Sequence, residues 1–375
     1  MRFRHPDGTL VHLAYCTNVH QAEDLDGVLT QLARFGEPVR ERLGVDRLGL
    51  GLWLARPVAT ELASNPAAVA RLRSELATRG LEVVTLNGFP YQGFHDPVVK
   101  HKVYRPDWST PERTRYTLDL ARLLGELLPE DAVRGSVSTL PLGWRTEWRD
   151  DGGQLELLAE GLAKQDRPVR VAFEPEPGCV IETTAQAVSL LSEVDKKWLG
   201  VCLDTCHLAV GFEDPAAALG RLEAAGLDVV KLQASAALEA ADPADPATRK
   251  ALESFVEPRF LHQSNEGAPP GADDLDAALA GGLPGEAPWR VHFHVPLHAD
   301  PAPPLTSTRP VLAGTLAELF GGAAARTDHI EVETYTWQVL PDAPADDAGL
   351  VAGITAELDW TRRSLIELGL EEVTR

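Results

Sequence analysis

The sequence contains few cysteines and no long apolar run. Cysteine accounts for four of the 375 residues, mostly within short strand-like runs. A disulfide framework is therefore excluded, and we expect buried, reduced thiols. No stretch approaches the roughly 18 consecutive apolar residues of a membrane-spanning helix, and the first residues do not lead into the apolar core of a signal peptide. These absences predict a cytoplasmic protein with no membrane span.

Basic residues are also scarce. Lysine and arginine number 35, against 56 aspartate and glutamate residues, which gives a formal net charge of −21. Because nucleic acids and anionic membranes are bound through basic surfaces, this balance argues against both as partners. High acidity also favours solubility. The net charge therefore argues against nucleic acid and anionic membranes as partners without indicating another partner.

Short runs rich in valine, leucine and isoleucine alternate with amphipathic helical segments, which is typical of parallel β-α-β units. The predicted strands are Thr9–Cys16, Arg47–Leu54, Leu81–Leu86, Ala132–Thr139, Val169–Glu174, Leu199–Asp204, Val229–Gln233 and Ile330–Glu333. Eight such units close a (β/α)8 TIM barrel. The strand ends Glu174, Asp204 and Gln233 are separated by 30 and 29 residues, close to the length of one β-α unit in such a barrel.

One interval interrupts this regularity. The segment after the seventh strand is too long for a simple crossover and contains patches rich in alanine, aspartate and proline. Long ordered loops usually serve a functional site. We therefore predict a single α/β domain over residues 1–375, with an insertion at about 236–328 that forms a lid over the C-terminal face of the barrel.

Three predicted strands run into carboxylates. Glu174, Asp204 and Glu333 stand at the C-terminal ends of their strands, where the loops of a barrel form its open face. Carboxylates at short range repel one another, so clustering them requires a cation. A helix cap or a rim salt bridge explains any one of these acids, but three at corresponding positions favour a metal site.

Histidines supply the nitrogen ligands of this predicted site. His207 follows Asp204 by three residues, so both can face one metal ion or one substrate. His294 lies near the end of a further strand-like run, and His262 stands in a loop that can close over the site. This mixture of oxygen and nitrogen donors suits Mn²⁺, Co²⁺, Zn²⁺ or Mg²⁺.

A polyol is the predicted ligand. Asn87 ends the third strand and is followed by aromatic residues, and amide groups beside apolar walls suit the hydroxyls and C–H faces of such a molecule. Lys102 lies in a basic stretch of an otherwise acidic chain. Lys102 and Trp53 are further candidates for substrate contacts, together with His207 and His262.

The segments 201–207, 172–178 and 332–334 together resemble the xylose isomerase-like TIM barrels. This superfamily comprises sugar isomerases and epimerases, including the sugar phosphate type, and the endonuclease IV group. Segments 257–263 and 87–91 are similar to the EboE-type metabolite-traffic branch. The resemblance implies that Glu174, Asp204, a histidine and Glu333 bind a divalent metal, with His207 as a second-site ligand or substrate contact.

The sequence departs from the family pattern on the seventh strand. Gln233 stands where the family usually offers a histidine, and an amide oxygen is a poorer ligand for a transition metal than imidazole. Either Gln233 coordinates weakly, or His294 or His262 takes its place.

The resemblance implies a metal-dependent isomerase or epimerase of a sugar, sugar phosphate or cyclitol in a secondary-metabolite pathway. Through a metal-stabilised enediolate, Glu174 and Glu333 would remove and return a carbon-bound proton. Two alternatives stay open: a non-catalytic carrier that hands a metabolite to other proteins, and, against the acidic charge, an endonuclease IV-like phosphoesterase. A homodimer and proteins of the same pathway are the expected protein partners.

Overall fold

The computed structural model describes residues 1–149 and 152–373. Its barrel strands, labelled β1 to β8 in chain order, are Leu10–Cys16, Leu48–Trp53, Leu81–Asn87, Gly135–Thr139, Val169–Phe173, Leu199–Asp204, Val229–Ala234 and His329–Val332. Neighbouring strands pair in parallel, and β8 pairs with β1 through Ile330 and Leu13, so the sheet closes. The predicted (β/α)8 TIM barrel is confirmed.

The predicted strand bounds differ most at the fourth strand. β4 begins at Gly135 and not at Ala132, because Ala132 N closes a turn onto Pro129 O at 3.1 Å. A short antiparallel pair of strands, Arg2–Arg4 and Glu371–Glu372, extends the sheet from β1.

Helices surround the barrel. In the described residues, α1 to α13 are Leu25–Gln31, Glu37–Leu43, Arg56–Ser64, Pro66–Thr78, Pro111–Leu127, Gln154–Leu162, Thr184–Leu190, Thr205–Val210, Pro215–Ala224, Pro246–Glu253, Leu275–Ala277, Arg309–Phe320 and Asp347–Glu367. π-Helical segments cover Leu32–Gly36 and Ala278–Gly282, and 3-10 turns cover Thr17–Val19, Lys100–Tyr104 and Tyr335–Gln338. Within residues 1–149 and 152–373, no helix is long and apolar enough to cross a membrane.

The segment between β7 and β8 forms a second, antiparallel sheet. Its short strands, in spatial order, are Ala268–Ala272, Ser264–Glu266, Trp289–Val291, Leu238–Ala240 and Thr306–Ser307. Trp289 is fully buried in this sheet, and its Nε1–H donates to Glu266 Oε2 at 2.9 Å. The remainder of the predicted insertion contains α12, which packs against α9 and α13. The additional sheet therefore occupies the earlier part of the insertion, and α12 belongs to the ring of helices.

The interior of the barrel contains an ion pair below its open end. Lys231 on β7 and Glu331 on β8 are fully buried and contact each other through Nζ and Oε2. Lys231 Nζ also lies 3.3 Å from Ser138 Oγ. Because side chains alternate along a strand, Glu333 points to the same side as Glu331, one layer nearer the open end.

Glu331 leaves no room for a side chain at Gly51 on β2. A Cβ atom placed on Gly51 would lie 1.2 Å from Glu331 Oε1. A methyl group at this position would therefore force Glu331 away from Lys231. The absence of a side chain at Gly51 makes space for the ion pair inside the barrel.

We predict that Gly51→Ala lowers the free energy of unfolding by about 2–4 kcal/mol, because overpacking would break a buried ion pair. Gly220→Ala in α9 is the matched control, since nothing lies within 4 Å of its Cβ position, and alanine is favoured over glycine in a helix. Urea denaturation followed by circular dichroism measures both variants. Wild-type stability of Gly51→Ala would contradict the position of the Glu331 side chain.

Candidate functional site

Three carboxylates meet at the open end of the barrel. Glu174 follows β5, Asp204 ends β6 and Glu333 follows β8, and all three are buried. One oxygen atom from each carboxylate lies within 4.8 Å of the other two. The strands deliver these acids to one place because parallel barrel strands end at the same rim.

Burial disfavours the ionised form of these acids. Burial, followed by the charges of Glu333 and Asp204, raises the pKa of Glu174 well above its usual value. Burial and the charge of Asp204 raise the pKa of Glu333 to about 8. Asn18 and Asn87 donate hydrogen bonds to Glu333 Oε1 at 2.7 and 2.9 Å. The cluster therefore needs protons or a cation to offset its charge.

Several ligand atoms of this cluster are buried and unpartnered. Among the described residues, Glu174 Oε2, Asp204 Oδ2 and His294 Nε2 find no hydrogen-bond partner. Asp204 Oδ1, by contrast, accepts from His207 N at 2.9 Å and from Ser235 Oγ at 2.8 Å. Buried polar atoms are rarely left unpaired in proteins, so these atoms indicate room for a bound group.

His294 presents a nitrogen atom suited to a metal. Its Nδ1 lies 2.7 Å from the carbonyl oxygen of Glu333, so Nδ1 carries the proton and Nε2 is the lone-pair nitrogen. His294, His207 and Asp204 offer atoms within 4.8 Å of one another. Carboxylate oxygens with a neutral imidazole nitrogen form a donor set that fits a divalent transition metal.

A second group of possible ligands lies beside the first. Glu176, His207 and His292 offer atoms within 4.8 Å of one another. His207 Nδ1 donates to Pro175 O at 2.9 Å, and His292 Nδ1 donates to Gln263 Oε1 at 2.6 Å. In both rings Nε2 is therefore the lone-pair nitrogen, and the two Nε2 atoms lie 3.0 Å apart. Burial lowers the pKa of His207 to about 4 and that of His292 well below its usual value.

Glu176 and His292 were not predicted as site residues. Tyr104 donates its hydroxyl proton to Glu176 Oε1 at 2.8 Å, and Gln263 Nε2 donates to the Tyr104 hydroxyl at 3.0 Å. Burial still raises the pKa of Glu176 to about 8. The available sequence signal was spacing, since each residue lies two positions from a predicted one: Glu176 from Glu174, and His292 from His294.

The two other candidates for the missing histidine ligand, His262 and Gln233, do not line the cavity. His262 Nδ1 contacts His292 O and Nε2 contacts Glu257 Oε1, both at 2.9 Å, so both ring nitrogens are already engaged. Gln233 is fully buried on β7 and does not line the cavity. Its amide atoms find no hydrogen-bond partner among the described residues. Of the three alternatives, His294 is the one that the structure places beside the acids.

The predicted substrate contacts separate into lining and non-lining residues. Asn87 and His207 line the cavity. Trp53 lies behind its wall, where Nε1–H donates to Pro90 O at 2.9 Å. The Lys102 side chain is 71% exposed, with Nζ 4.0 Å from Asp96, and does not line the cavity. Lys100 does line it, because a 3-10 turn directs the two lysines differently.

Comparison with known proteins identifies relatives of this chain. The family model described as xylose isomerase-like TIM barrel matches residues 41–271, more than half of the chain. The curated "Probable endonuclease 4" of Carboxydothermus hydrogenoformans is 26% identical over 151 residues, which cover 36% of this chain and 53% of that protein. The match thus spans about half the length of this curated relative.

Solved structures that are similar to this chain include an epimerase and a xylose isomerase domain protein. D-psicose 3-epimerase of Clostridium cellulolyticum H10, solved with D-tagatose, is 15% identical, with 95% of this chain and 99% of that chain covered and a TM-score of 0.48. The xylose isomerase domain protein of Planctomyces limnophilus is 11% identical, with 94% and 96% covered and a TM-score of 0.49.

A buried carboxylate on α13 joins two segments that carry site residues. Glu357 Oε1 accepts from Leu297 N at 3.0 Å and from Thr334 Oγ1 at 2.6 Å, and Oε2 accepts from Trp337 Nε1 at 3.1 Å. Leu297 lies three residues after His294, and Thr334 follows Glu333 directly. Burial raises the pKa of Glu357 to about 7.

This raised pKa predicts a pH-dependent contribution to stability. The folded protein retains the Glu357 proton up to a pH of about 7, whereas an unfolded glutamate loses it near a pKa of about 4.3. The stabilising contribution is therefore complete below the unfolded pKa and disappears as the pH rises through the folded one. We predict that, between about pH 5 and pH 8, the wild type loses about 2 kcal/mol relative to Glu357→Gln.

Urea denaturation in EDTA at the two pH values measures this difference. Glu61→Gln, which removes an exposed acid on α3, is the control and should keep the wild-type pH dependence. A stability difference between wild type and Glu357→Gln that does not change with pH would show that Glu357 keeps an ordinary pKa.

Proposed function

This chain belongs to the xylose isomerase-like TIM barrel family, and from that premise we propose that it is a divalent-metal-dependent isomerase or epimerase of a sugar or cyclitol. The observation that supports this proposal is the buried cluster of Glu174, Asp204 and Glu333, whose oxygen atoms lie within 4.8 Å of one another at the open end of the barrel. The unpartnered Nε2 of His294 completes the donor set.

Four side chains would hold the metal: Glu174, Asp204, Glu333 and His294. When bound, Mn²⁺, Co²⁺, Zn²⁺ or Mg²⁺ supplies Lewis-acid chemistry at a substrate carbonyl group. Asp204 is held for this role by His207 N and Ser235 Oγ, which fix one of its oxygens. His294 is held by its hydrogen bond to the Glu333 carbonyl.

Glu174 and Glu333 are assigned the proton transfers. They follow β5 and β8, so they reach the cavity from different sides, and a substrate carbon between them can lose a proton to one carboxylate and receive one from the other. Asn18 and Asn87 both donate to Glu333 Oε1, which leaves Oε2 as the oxygen assigned to proton transfer. Removal and return of the proton on opposite faces of the same carbon gives epimerisation, whereas return to the adjacent carbon of the enediolate, on one face, gives isomerisation.

We further propose that the protein belongs to the EboE-type metabolite-traffic branch and acts in a secondary-metabolite pathway. We also propose that it is a cytoplasmic homodimer with partners from the same pathway. The function of the insertion at about 236–328 as a lid is supported by Phe260, Leu261, His292 and His294, which come from this segment and line the cavity.

The metal site is tested by binding to protein first stripped with EDTA. We predict that calorimetric titration with Co²⁺ or Mn²⁺ detects binding and that Asp204→Asn weakens it by about 10–100-fold, because an amide oxygen lacks the carboxylate charge. Glu61→Gln is the control and should bind as the wild type does. Equal affinity of Asp204→Asn and the wild type would contradict the assignment of Asp204.

The reaction is tested by deuterium exchange from D₂O into D-tagatose, D-fructose and an inosose, followed by nuclear magnetic resonance. We predict metal-dependent exchange that Glu333→Gln slows by about 10²–10⁴-fold, while Glu61→Gln keeps the wild-type rate. Metal content is measured for each variant, so that a lost ion is distinguished from a lost acid–base group.

The same assays separate the alternative functions. Tight binding of these compounds without exchange would overturn the enzyme proposal in favour of a carrier. Metal-dependent nicking of abasic DNA would overturn it in favour of a phosphoesterase. Wild-type exchange by Glu333→Gln would contradict the proton-transfer role of that residue.

A further inference from the structure

We propose that Glu176, His207 and His292 form a second divalent-metal site beside the one assigned to the three acids and His294. The three residues are buried, offer ligand atoms within 4.8 Å of one another and line the same cavity. The second site shares no ligand with the first, so the proposed function neither includes nor requires it.

The two imidazole rings of this site present lone pairs to each other. His207 Nδ1 donates to the carbonyl oxygen of Pro175 at 2.9 Å, and His292 Nδ1 donates to Gln263 Oε1 at 2.6 Å. In each neutral ring, Nε2 is therefore an acceptor, and the two Nε2 atoms lie 3.0 Å apart. Two acceptors at hydrogen-bond distance repel each other unless a metal ion or a proton lies between them.

The tautomer of His292 depends on the orientation of the Gln263 amide, which other partners fix. Gln263 Nε2 donates to Pro177 O at 2.8 Å and to the Tyr104 hydroxyl at 3.0 Å. Because a carbonyl oxygen can only accept, the amide atom beside Pro177 is the nitrogen, and the atom beside His292 is the oxygen. A histidine that binds a metal ordinarily donates its other ring N–H to an oxygen in this way.

The distance between the two Nε2 atoms fits neighbouring ligands of one metal ion. Because imidazole binds Zn²⁺ at about 2.0–2.1 Å, two such nitrogens lie about 2.9 Å apart at a right angle and about 3.3 Å apart at a tetrahedral angle. The observed 3.0 Å falls within this range. The rings of His207 and His292 therefore need little movement to hold one ion.

Glu176 supplies the third ligand of this site. Its Oε1 accepts from the Tyr104 hydroxyl at 2.8 Å, whereas its Oε2 accepts from the Cys179 thiol, with Sγ 3.7 Å away. A thiol is a weak donor, so Oε2 stays available to a cation. Two imidazoles and one carboxylate are a donor set of zinc enzymes that keep an open position for water or substrate.

The same short segments hold the ligands of both sites. Each ligand of the second site lies two or three positions from a ligand of the first, and the pairs are Glu174 and Glu176, Asp204 and His207, and His294 and His292. The backbone N–H of His207 donates to Asp204 Oδ1 at 2.9 Å. The segments that position one set of ligands therefore also position the other.

A second ion also balances the buried charge. The two sets of ligands contain four buried carboxylates, those of Glu174, Glu176, Asp204 and Glu333. One divalent ion offsets two of these negative charges, whereas two ions offset all four. Because buried charges in proteins are ordinarily paired or bound to metals, full ionisation of these acids favours two ions.

Metal stoichiometry distinguishes a metal ion from a proton between the two rings. We expect calorimetric titration of EDTA-stripped protein with Co²⁺ to detect two equivalents per chain. His292→Gln should weaken one equivalent by at least about tenfold, because an amide oxygen is a poorer ligand than imidazole, and should leave the other unchanged. His298→Gln is the control, since His298 belongs to the same insertion, is exposed and does not line the cavity. Circular dichroism verifies the fold of both variants.

Electron paramagnetic resonance shows whether the two ions are neighbours. The wild type with two equivalents of Mn²⁺ should give the spectrum of two magnetically coupled ions, because the ligand rings of His292 and His294 have centroids only 5.3 Å apart. His292→Gln with one equivalent should give the spectrum of an isolated ion. An uncoupled spectrum from the wild type would place the second ion elsewhere and overturn the inference.

Asp204→Asn separates the second site from the proposed function. Weakening of different equivalents by Asp204→Asn and His292→Gln would support both sites. A single equivalent that Asp204→Asn weakens and His292→Gln retains would overturn the second site and leave the proposed function standing. A single equivalent with the reverse behaviour would support the second site and contradict the first. Two equivalents that His292→Gln binds as the wild type does would overturn the inference.

Discussion

Repulsion among three buried carboxylates is the constraint on which the rest of this structure depends. Glu174, Asp204 and Glu333 bring oxygen atoms within 4.8 Å of one another, and like charges at this range in a protein interior are costly. The buried Lys231 contacts Glu331, and its charge only partly offsets the raised pKa values of Glu174 and Glu333. The charge of Glu174, Asp204 and Glu333 must therefore be offset by protons or by a bound cation. The closed barrel holds the acids in place because their strands pair on both sides.

The site also depends on ties between the insertion and the barrel. His294 comes from the insertion, yet its Nδ1 donates to the Glu333 carbonyl, and Thr336 Oγ1 donates to the His294 carbonyl. Glu357 then links Leu297 to Thr334 from α13. These bonds make the residues around His294 and Glu333 one connected unit. An imidazole thus reaches the acids although the seventh strand supplies Gln233.

The sequence was sufficient for the barrel and for the acids because both follow from periodic patterns. Buried parallel strands form continuous apolar runs, and each acid stands at the end of such a run. Lys100 and Lys102 were not separable in this way, since a 3-10 turn within a long loop decides which one faces the cavity. The contact between His207 and His292 joins residues that are 85 positions apart, and no local sequence pattern predicts such a contact. His262 stays a predicted candidate, and its contacts with Glu257 and the His292 carbonyl are visible only in the fold.

Strands and loops make separate contributions to this site: the acids stand at the strand ends, and aromatic residues come from the loops. Asp204 ends a barrel strand and Glu174 and Glu333 follow directly after strands, whereas Phe94 and Phe260 belong to a loop and to the insertion. Loops on a common barrel are the parts that vary with substrate. Because the Tyr335 ring packs on the His294 ring, the aromatic residues beside the cavity are continuous with a histidine that lies next to Asp204. Under the proposed function, a molecule held by the acids would have the Tyr335 ring as a neighbour, and the loops of this chain would bear on its substrate more than the fold does.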